Sequence, residues 1–126
     1  AACGAFTVSM ATAAYVEECD YLGVVSGNDV PDKLARSGLH VERAGHVNAP
    51  LISELPLTIE CELVSYDPES CRLVGEIVNV SADESILGPD GKIDVDKLRP
   101  ISFDPMHNTY RVLGAVVGQA FTAGER

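Results

Sequence analysis

The sequence predicts a mainly β fold with short helices, in which the strands are expected to carry the core. The strongest signal is a long β-hairpin: apolar and polar residues alternate over 57–64, and a run rich in Val and Ile follows over 71–80. Between them, Asp67-Pro68-Glu69-Ser70 has the composition of a turn, with Asp first and Pro second. The helical patterns elsewhere in the chain are short, so we expect helices to be minor elements.

The first strand of this hairpin is predicted to have one buried face and one wet face. The residues expected to face the core are Leu57, Ile59, Cys61 and Leu63, and those expected to face water are Thr58, Glu60, Glu62 and Val64. Two carboxylates on one strand face could form an acid–base couple, but a solvated edge is the favoured interpretation of Glu60 and Glu62.

The N-terminal part predicts a short strand over 4–10 and a helix over 13–22. Thr12 is the expected N-cap of that helix, because a threonine hydroxyl can accept hydrogen bonds from the first backbone N–H groups. Gly23 is expected to end the helix, since glycine adopts the left-handed conformation common just after a helix.

A second short helix is predicted after the polar turn at 26–29. Asn28 or Asp29 is its expected cap, Pro31 lies in its first turn, and Gly38 is expected to stop it.

The segments on either side of the hairpin are read from turn residues and short apolar runs. The predictions are an extended segment over 39–47, a connector over 49–52, a turn over 88–91, a single helical turn over 95–98, a strand over 101–103 and a loop over 104–108. Residues 110–121 are apolar but are interrupted by Gly114 and Gly118, so their helix pattern is weak.

Length and charge limit the classes of protein to which the chain can belong. Its 126 residues fit one domain spanning 1–126. The 19 acidic residues against nine basic ones give a net charge of −10, which disfavours nucleic acid as a partner. No apolar run approaches the roughly 18 residues that a membrane helix needs, so no membrane span is expected.

The cysteines and histidines do not have the spacing of a metal site. Cys3, Cys19, Cys61 and Cys71 contain no C-x-x-C pair, and their sparse pattern fits reduced thiols in a cytoplasmic protein. In the predicted hairpin, Cys61 lies opposite a residue near Glu76 and not opposite Cys71. The three histidines, His40, His46 and His107, are interpreted as surface or loop residues, and no metal ligand is assigned.

Two places in the chain could bind a ligand. Ser26 and Gly27 precede the second helix, and Lys33 is expected about one turn into it, so these residues could together hold an anionic group. A capped surface helix with a solvated lysine remains the alternative. Tyr110 follows a loop and could stack on a planar ligand, although an aromatic residue in such a position is more often part of the core.

Several segments, in order, resemble the flavin reductase-like family of FMN-binding split β-barrels, which includes the flavoredoxins. The matching segments are DYLGVVSG at 20–27 with Asp32-Lys33, SGL at 37–39, APLI at 49–52 with Glu54, IECEL at 59–63, VGEIV at 74–78, DGKID at 90–94, YRVLG at 110–114 and GQAF at 118–121. The order and spacing of these segments make the resemblance specific.

The resemblance implies a split β-barrel that forms a homodimer and binds FMN near the subunit interface. It implies an oxidoreductase in which NAD(P)H reduces the flavin, and the flavin passes electrons to free flavin, ferric complexes or a protein. By the same resemblance, Lys33 lies near the flavin phosphate with Ser26 and Gly27 as further candidates, and Tyr110 lies near the isoalloxazine ring. No catalytic acid or base is implied.

In this family a further N-terminal portion, with strands of the barrel and loops that contact FMN, precedes the point where this sequence starts. We therefore expect that those strands belong to a longer protein, or that a partner or a second subunit supplies them. The alternative function is a split-barrel module that makes dimer or partner contacts without bound flavin.

Overall fold

The computed structural model describes residues 4–125, and antiparallel strands are its main elements. The strands are β1 (Ala5–Ser9), β2 (Val41–Arg43), β3 (Pro50–Ile52), β4 (Leu57–Asp67), β5 (Arg72–Ala82), β6 (Ile101–Asp104) and β7 (Thr109–Val112). The helices are α1 (Val16–Val24), α2 (Lys33–Ser37) and α3 (Val95–Leu98), with 3-10 turns at Ala13–Tyr15 and Glu84–Ile86. The prediction of a mainly β fold with short helices is confirmed.

The strands form three separate antiparallel sheets. The largest has the order β1-β4-β5, while β2 pairs with β3 and β6 pairs with β7. Within residues 4–125 these sheets do not close into a barrel. The small apolar core includes Ala44, Val47 and Ala49, against which Ala5 and Leu51 pack.

The predicted hairpin is confirmed as β4–β5, and its ends pair as Leu57 with Ala82 and Asp67 with Arg72. The Asp67 side chain accepts hydrogen bonds from the backbone N–H of Glu69 and from the Ser70 hydroxyl, which closes the predicted turn. Cys61 lies opposite Ile77, one residue from the predicted Glu76.

The prediction of a wet face on β4 is wrong for two of its residues. Thr58 is only 3% exposed and Glu60 only 2% exposed. Both residues lie on the same face of the strand, before the register shift between Glu60 and Cys61, so this face is covered over the first part of β4. The loop before β3 also covers Glu60, because His46 donates hydrogen bonds to its carboxylate.

The N-terminal helix differs from its prediction at both ends. Thr12 precedes a 3-10 turn, its side chain makes no capping hydrogen bond, and it is buried where it bridges to Pro100. The α-helix begins later, at Val16, and continues one residue past Gly23 to Val24. Pairing with the segment before β6 thus takes the place of the expected cap.

The cap predicted for the second helix is also wrong, because α2 begins at Lys33 with Asp32 as its N-cap residue instead of Asn28 or Asp29. Its end is as predicted, since Gly38 has the left-handed φ of 84°.

The segments before the hairpin pair more than was expected. Residues 49–52 are not only a connector, because Pro50–Ile52 forms β3 and pairs with β2, which takes up part of the predicted extended segment. Pro50 lies at the first position of its strand, where proline is tolerated in a sheet.

The C-terminal predictions are largely confirmed. Gly91, with a φ of 77°, closes the predicted turn by donating its N–H to the Gly88 carbonyl 3.0 Å away, and α3 and β6 form where expected. The weak helix pattern over 110–121 gives no helix, and its first residues belong to β7. Among residues 4–125, none of the helices is both long enough and apolar enough to cross a membrane.

Candidate functional site

The predicted anion-binding residues Ser26, Gly27 and Lys33 lie together after α1. A tight turn follows Ser26, whose carbonyl accepts hydrogen bonds from the N–H groups of Asp29 and Val30, at 3.2 and 2.9 Å. The Ser26 hydroxyl oxygen accepts a hydrogen bond from the N–H of Asn28, at 3.1 Å. A Cβ atom on Gly27 would lie 3.8 Å from Lys33 Cε, so Gly27 packs beside the lysine stem.

Lys33 is the first residue of α2 and does not lie one turn into that helix, as was expected. Its Nζ donates hydrogen bonds to the carbonyls of Leu22 and Val25, at 2.9 and 3.0 Å. These carbonyls lie at the C-terminal end of α1, where backbone oxygens lack helical partners and attract a cation. An ammonium group has three donors, so one donor remains for a further acceptor.

Tyr110 lies on β7, opposite Phe103 on β6. The two ring centroids are 5.7 Å apart and the rings are tilted by 53°, which is within the range of favourable aromatic contacts. Tyr110 remains 40% exposed, so the alternative that it belongs to the core is wrong.

The Tyr110 hydroxyl donates a hydrogen bond to Asp20 Oδ1 on α1, at 2.6 Å. That hydrogen bond is the main cause that raises the pKa of Tyr110 above its usual value. A groove of about 440 Å³ lies beside this contact, lined by Asp20, Gly23, Val24, Phe103, Asn108 and Tyr110.

The lysine group and the tyrosine groove meet at the C-terminal end of α1. Lys33 binds the carbonyls of Leu22 and Val25, while Gly23 and Val24, between them in the chain, line the groove of Tyr110. Both groups thus contact α1, Lys33 at its last carbonyls and Tyr110 through Asp20. A larger cavity of about 630 Å³, between residues 88–96 and 113–116, contains none of the predicted residues.

Sequence reasoning assigned no role to Asp20 or Phe103. Asp20 is in the DYLGVVSG segment, but its partner Tyr110 is 90 residues further along the chain. No local spacing could have found this pair.

The buried Glu60 was also missed. It accepts hydrogen bonds from the His46 backbone N–H, at 2.8 Å, from His46 Nδ1, at 3.1 Å, and from the Asn79 amide. The Asn79 hydrogen bond and then the two from His46 hold the pKa of Glu60 below its usual value. The same double contact joins His40 to Glu54, with the same spacing of 14 residues.

All three histidines have a carboxylate neighbour, since His107 Nδ1 lies 3.0 Å from Asp104. Their side chains are nevertheless 61–79% exposed, which confirms them as surface or loop residues. Within residues 4–125, no group of three or more His, Cys, Asp or Glu side chains could hold a metal ion. Cys19, Cys61 and Cys71 are free thiols, and Cys3 lies outside the described residues.

Comparison with solved structures shows close similarity to two flavoredoxins. The chain is 39% identical to the flavoredoxin of Desulfovibrio vulgaris (Miyazaki F), with a TM-score of 0.87 over 97% of this chain. It is 29% identical to the flavoredoxin from Methanosarcina acetivorans, with a TM-score of 0.85 over 98% of this chain. The match covers 66% of each flavoredoxin chain, which is less than two thirds of their length.

An uncharacterized protein of Aquifex aeolicus (strain VF5) is 28% identical over 83 residues, which are 62% of this chain and 42% of that protein. The family model of the flavin reductase like domain matches residues 1–106. The match covers more than half of the chain, so this protein belongs to the flavin reductase like domain family, and its fold is that of flavin reductase-like split barrels.

Proposed function

We propose that residues 1–126 form one flavin reductase-like domain that binds FMN and acts as an oxidoreductase. In this proposal NAD(P)H is the reductant, and the acceptor is free flavin, a ferric complex or a protein. The observation that carries the proposal is the family match, together with the similarity to two flavoredoxins at 39% and 29% identity. Bound FMN would supply the redox chemistry, and the protein would hold and orient it.

The residues at the C-terminal end of α1 have the chemistry that FMN requires. A flavin phosphate needs a cation and hydrogen-bond donors, which the third N–H of Lys33 and the Ser26 hydroxyl can provide. A flavin ring needs a flat apolar surface, which the exposed ring of Tyr110 offers beside the groove. Ser26, Gly27, Lys33 and Tyr110 are therefore our proposed FMN contacts.

The carbonyls of Leu22 and Val25 hold the Lys33 ammonium group in place before any ligand arrives. A cation fixed in this way loses little side-chain entropy when it binds an anion. Its role would be to bind and orient the ligand, since hydride transfer to a flavin does not require a side-chain acid or base.

We further propose that the protein is a cytoplasmic homodimer. The sheet β1-β4-β5 exposes apolar side chains such as Ile77 and Val80, which are 59% and 53% exposed, and such a surface favours association. The free thiols of Cys19, Cys61 and Cys71 suit a reducing compartment. Light scattering of the purified chain measures the oligomeric state.

Purified protein that is titrated with FMN is expected to bind it. Under anaerobic conditions, added NADH or NADPH is then expected to reduce the bound flavin and bleach its absorbance. The absorbance spectrum after removal of free FMN measures binding, and the loss of the flavin band measures reduction. A folded chain that retains no flavin at high FMN concentration would instead support the non-catalytic module.

Lys33→Ala is expected to weaken FMN binding by about 1–3 kcal/mol, because it removes a charge-assisted hydrogen bond to the phosphate. Lys33→Gln removes the charge but keeps a polar side chain that can donate hydrogen bonds, so it is a milder change than Lys33→Ala. Fluorescence titration with FMN measures both variants.

Lys97→Ala is the matched control, because Lys97 Nζ also donates to a backbone carbonyl, that of Leu87. It is expected to leave FMN affinity unchanged. If Lys33→Gln and Lys97→Ala both bind FMN like the unmodified protein, Lys33 does not contact the phosphate.

A further inference from the structure

The hydrogen bond between Tyr110 and Asp20 joins two elements that are otherwise weakly connected. The β6–β7 hairpin is a separate two-stranded sheet. Its first strand is attached to the segment before α1, because Ile101 donates its N–H to the Ala11 carbonyl and Pro100 bridges to Thr12. Every residue of β7 is exposed. The hydrogen bond from the Tyr110 side chain to the Asp20 side chain connects β7 to α1.

The hydrogen bond between Tyr110 and Asp20 is of a strong type. A phenol that donates to a carboxylate forms a charge-assisted hydrogen bond, and the separation of 2.6 Å is in the short range expected for one. The hydrogen bond to Asp20 is the main cause that raises the pKa of Tyr110, followed by desolvation, with smaller electrostatic contributions from Asp20 and Cys19. Tyr110 is therefore a protonated donor at neutral pH.

The same two residues line the groove from opposite elements. Asp20, Gly23 and Val24 line it from α1, while Phe103, Asn108 and Tyr110 line it from the hairpin. The two walls come from elements about 90 residues apart in the chain, and the hydrogen bond joins them directly. With one end of the phenol held and the other side against Phe103, the ring has few orientations left.

We propose that Asp20 is a positioning residue, which fixes the phenol of Tyr110 so that the groove between α1 and the β6–β7 hairpin keeps a shape that accepts the planar ring of a flavin. The fit of a flavin ring to this groove rests on the proposed function, whereas the hold of Asp20 on Tyr110 concerns only this chain and is tested without flavin.

The first test uses the full chain without FMN and compares Asp20→Ala, Asp20→Asn and Tyr110→Phe. Hydrogen exchange measured by mass spectrometry is expected to be faster in β7 of Asp20→Ala and Tyr110→Phe, while β4–β5 exchanges as before. Asp20→Asn keeps an acceptor oxygen and is expected to retain most of the protection. Glu17→Ala, an exposed acidic residue of the same helix, is the control and is expected to change nothing.

An ultraviolet pH titration of the tyrosines gives a second readout, at the Tyr110 hydroxyl itself. Tyr110→Phe identifies the absorbance change that belongs to Tyr110 among the four tyrosines. In Asp20→Ala this phenol is expected to ionise at lower pH than in the unmodified protein, because the carboxylate that raises its pKa is gone. Unchanged exchange in β7 together with an unchanged phenol titration would overturn the positional role of Asp20.

The second test measures FMN affinity. Asp20→Ala and Tyr110→Phe are each expected to weaken it about tenfold, because a ring that is no longer held in place must be ordered when FMN binds. The double variant is expected to bind no more weakly than the weaker single variant, since both changes break the same contact. Losses that add fully, or an Asp20→Asn variant as weak as Asp20→Ala, would show that Asp20 acts through its charge and not through Tyr110.

The two tests bear on different claims. If the unmodified chain binds no FMN, the proposed function is wrong, while exchange and phenol titration still decide whether Asp20 holds Tyr110. If the chain binds FMN and all Asp20 variants bind it equally, the proposed function stands and the role of Asp20 in the flavin site is wrong.

Discussion

Replacement of Glu60 by alanine is expected to lower the melting temperature of this protein by roughly 10 °C, the scale for loss of several buried hydrogen bonds in a domain of this size. The carboxylate is 2% exposed and accepts from the His46 N–H, from His46 Nδ1 and from Asn79. Without it, donors on two different segments lose their acceptor next to the register shift in β4. Thermal unfolding followed by circular dichroism measures the change.

Glu62→Ala is the matched control, because Glu62 is two residues along the same strand and is exposed. Its melting temperature is expected to stay within about 2 °C of the unmodified value, as for an ordinary surface substitution. Equal effects of the two substitutions would show that the network around Glu60 does not stabilise the fold.

The same network predicts a loss of stability in acid. The pKa of Glu60 is lowered in the folded state, chiefly by the Asn79 hydrogen bond and then by those from His46. Its stabilising effect is therefore fully present above the unfolded pKa, roughly 4.3, and is lost as pH falls through the lower folded value. Glu60→Gln has no such titration, so the difference in unfolding free energy between it and the unmodified protein is expected to shrink between about pH 6 and pH 3.

Gly75→Ala is the second substitution with a large expected effect, a loss of about 1–3 kcal/mol in the free energy of unfolding. A Cβ atom on Gly75 would lie less than 3.0 Å from two ring atoms of Phe6 and 3.2 Å from Cys61 Cβ. The Phe6 ring reaches from β1 across β4 to β5, and it can do so because Gly75 has no side chain. Urea unfolding measures the loss.

Gly114→Ala serves as the control, since a Cβ atom there would have no neighbour within 4 Å. In a Phe6→Leu background, Gly75→Ala is expected to be less harmful than in the unmodified protein, because the smaller side chain leaves room for the methyl group. The same loss in both backgrounds would mean that contact with Phe6 is not its cause.

The elements that were predicted correctly are those whose cause is local. The β4–β5 hairpin follows from alternation and from Asp67 and Pro68 in its turn, and α2 ends at Gly38 because glycine accepts a positive φ. Two of the errors involve residues that contact a distant segment. Thr12 pairs with Pro100 instead of capping a helix, and Glu60 is covered by His46 instead of facing water.

In the candidate site, too, contacts between residues close in sequence could be predicted, whereas contacts between distant segments could not. Ser26, Gly27 and Lys33 are close in sequence, so their proximity could be predicted, although the two carbonyls that hold Lys33 could not. Tyr110 was singled out as an aromatic residue after a loop, whereas its partners Asp20 and Phe103 required the fold.

Composition, strand alternation, turn residues and the ordered family segments are properties of short stretches, and they were sufficient for the fold class and the family. Three features needed the tertiary structure: the burial of Glu60, the attachment of Lys33 to the end of α1, and the contact of Tyr110 with Asp20. Each depends on hydrogen bonds between groups from separate elements. Such contacts form only when the chain brings distant segments together and removes their polar groups from water, so local sequence carries little information about them.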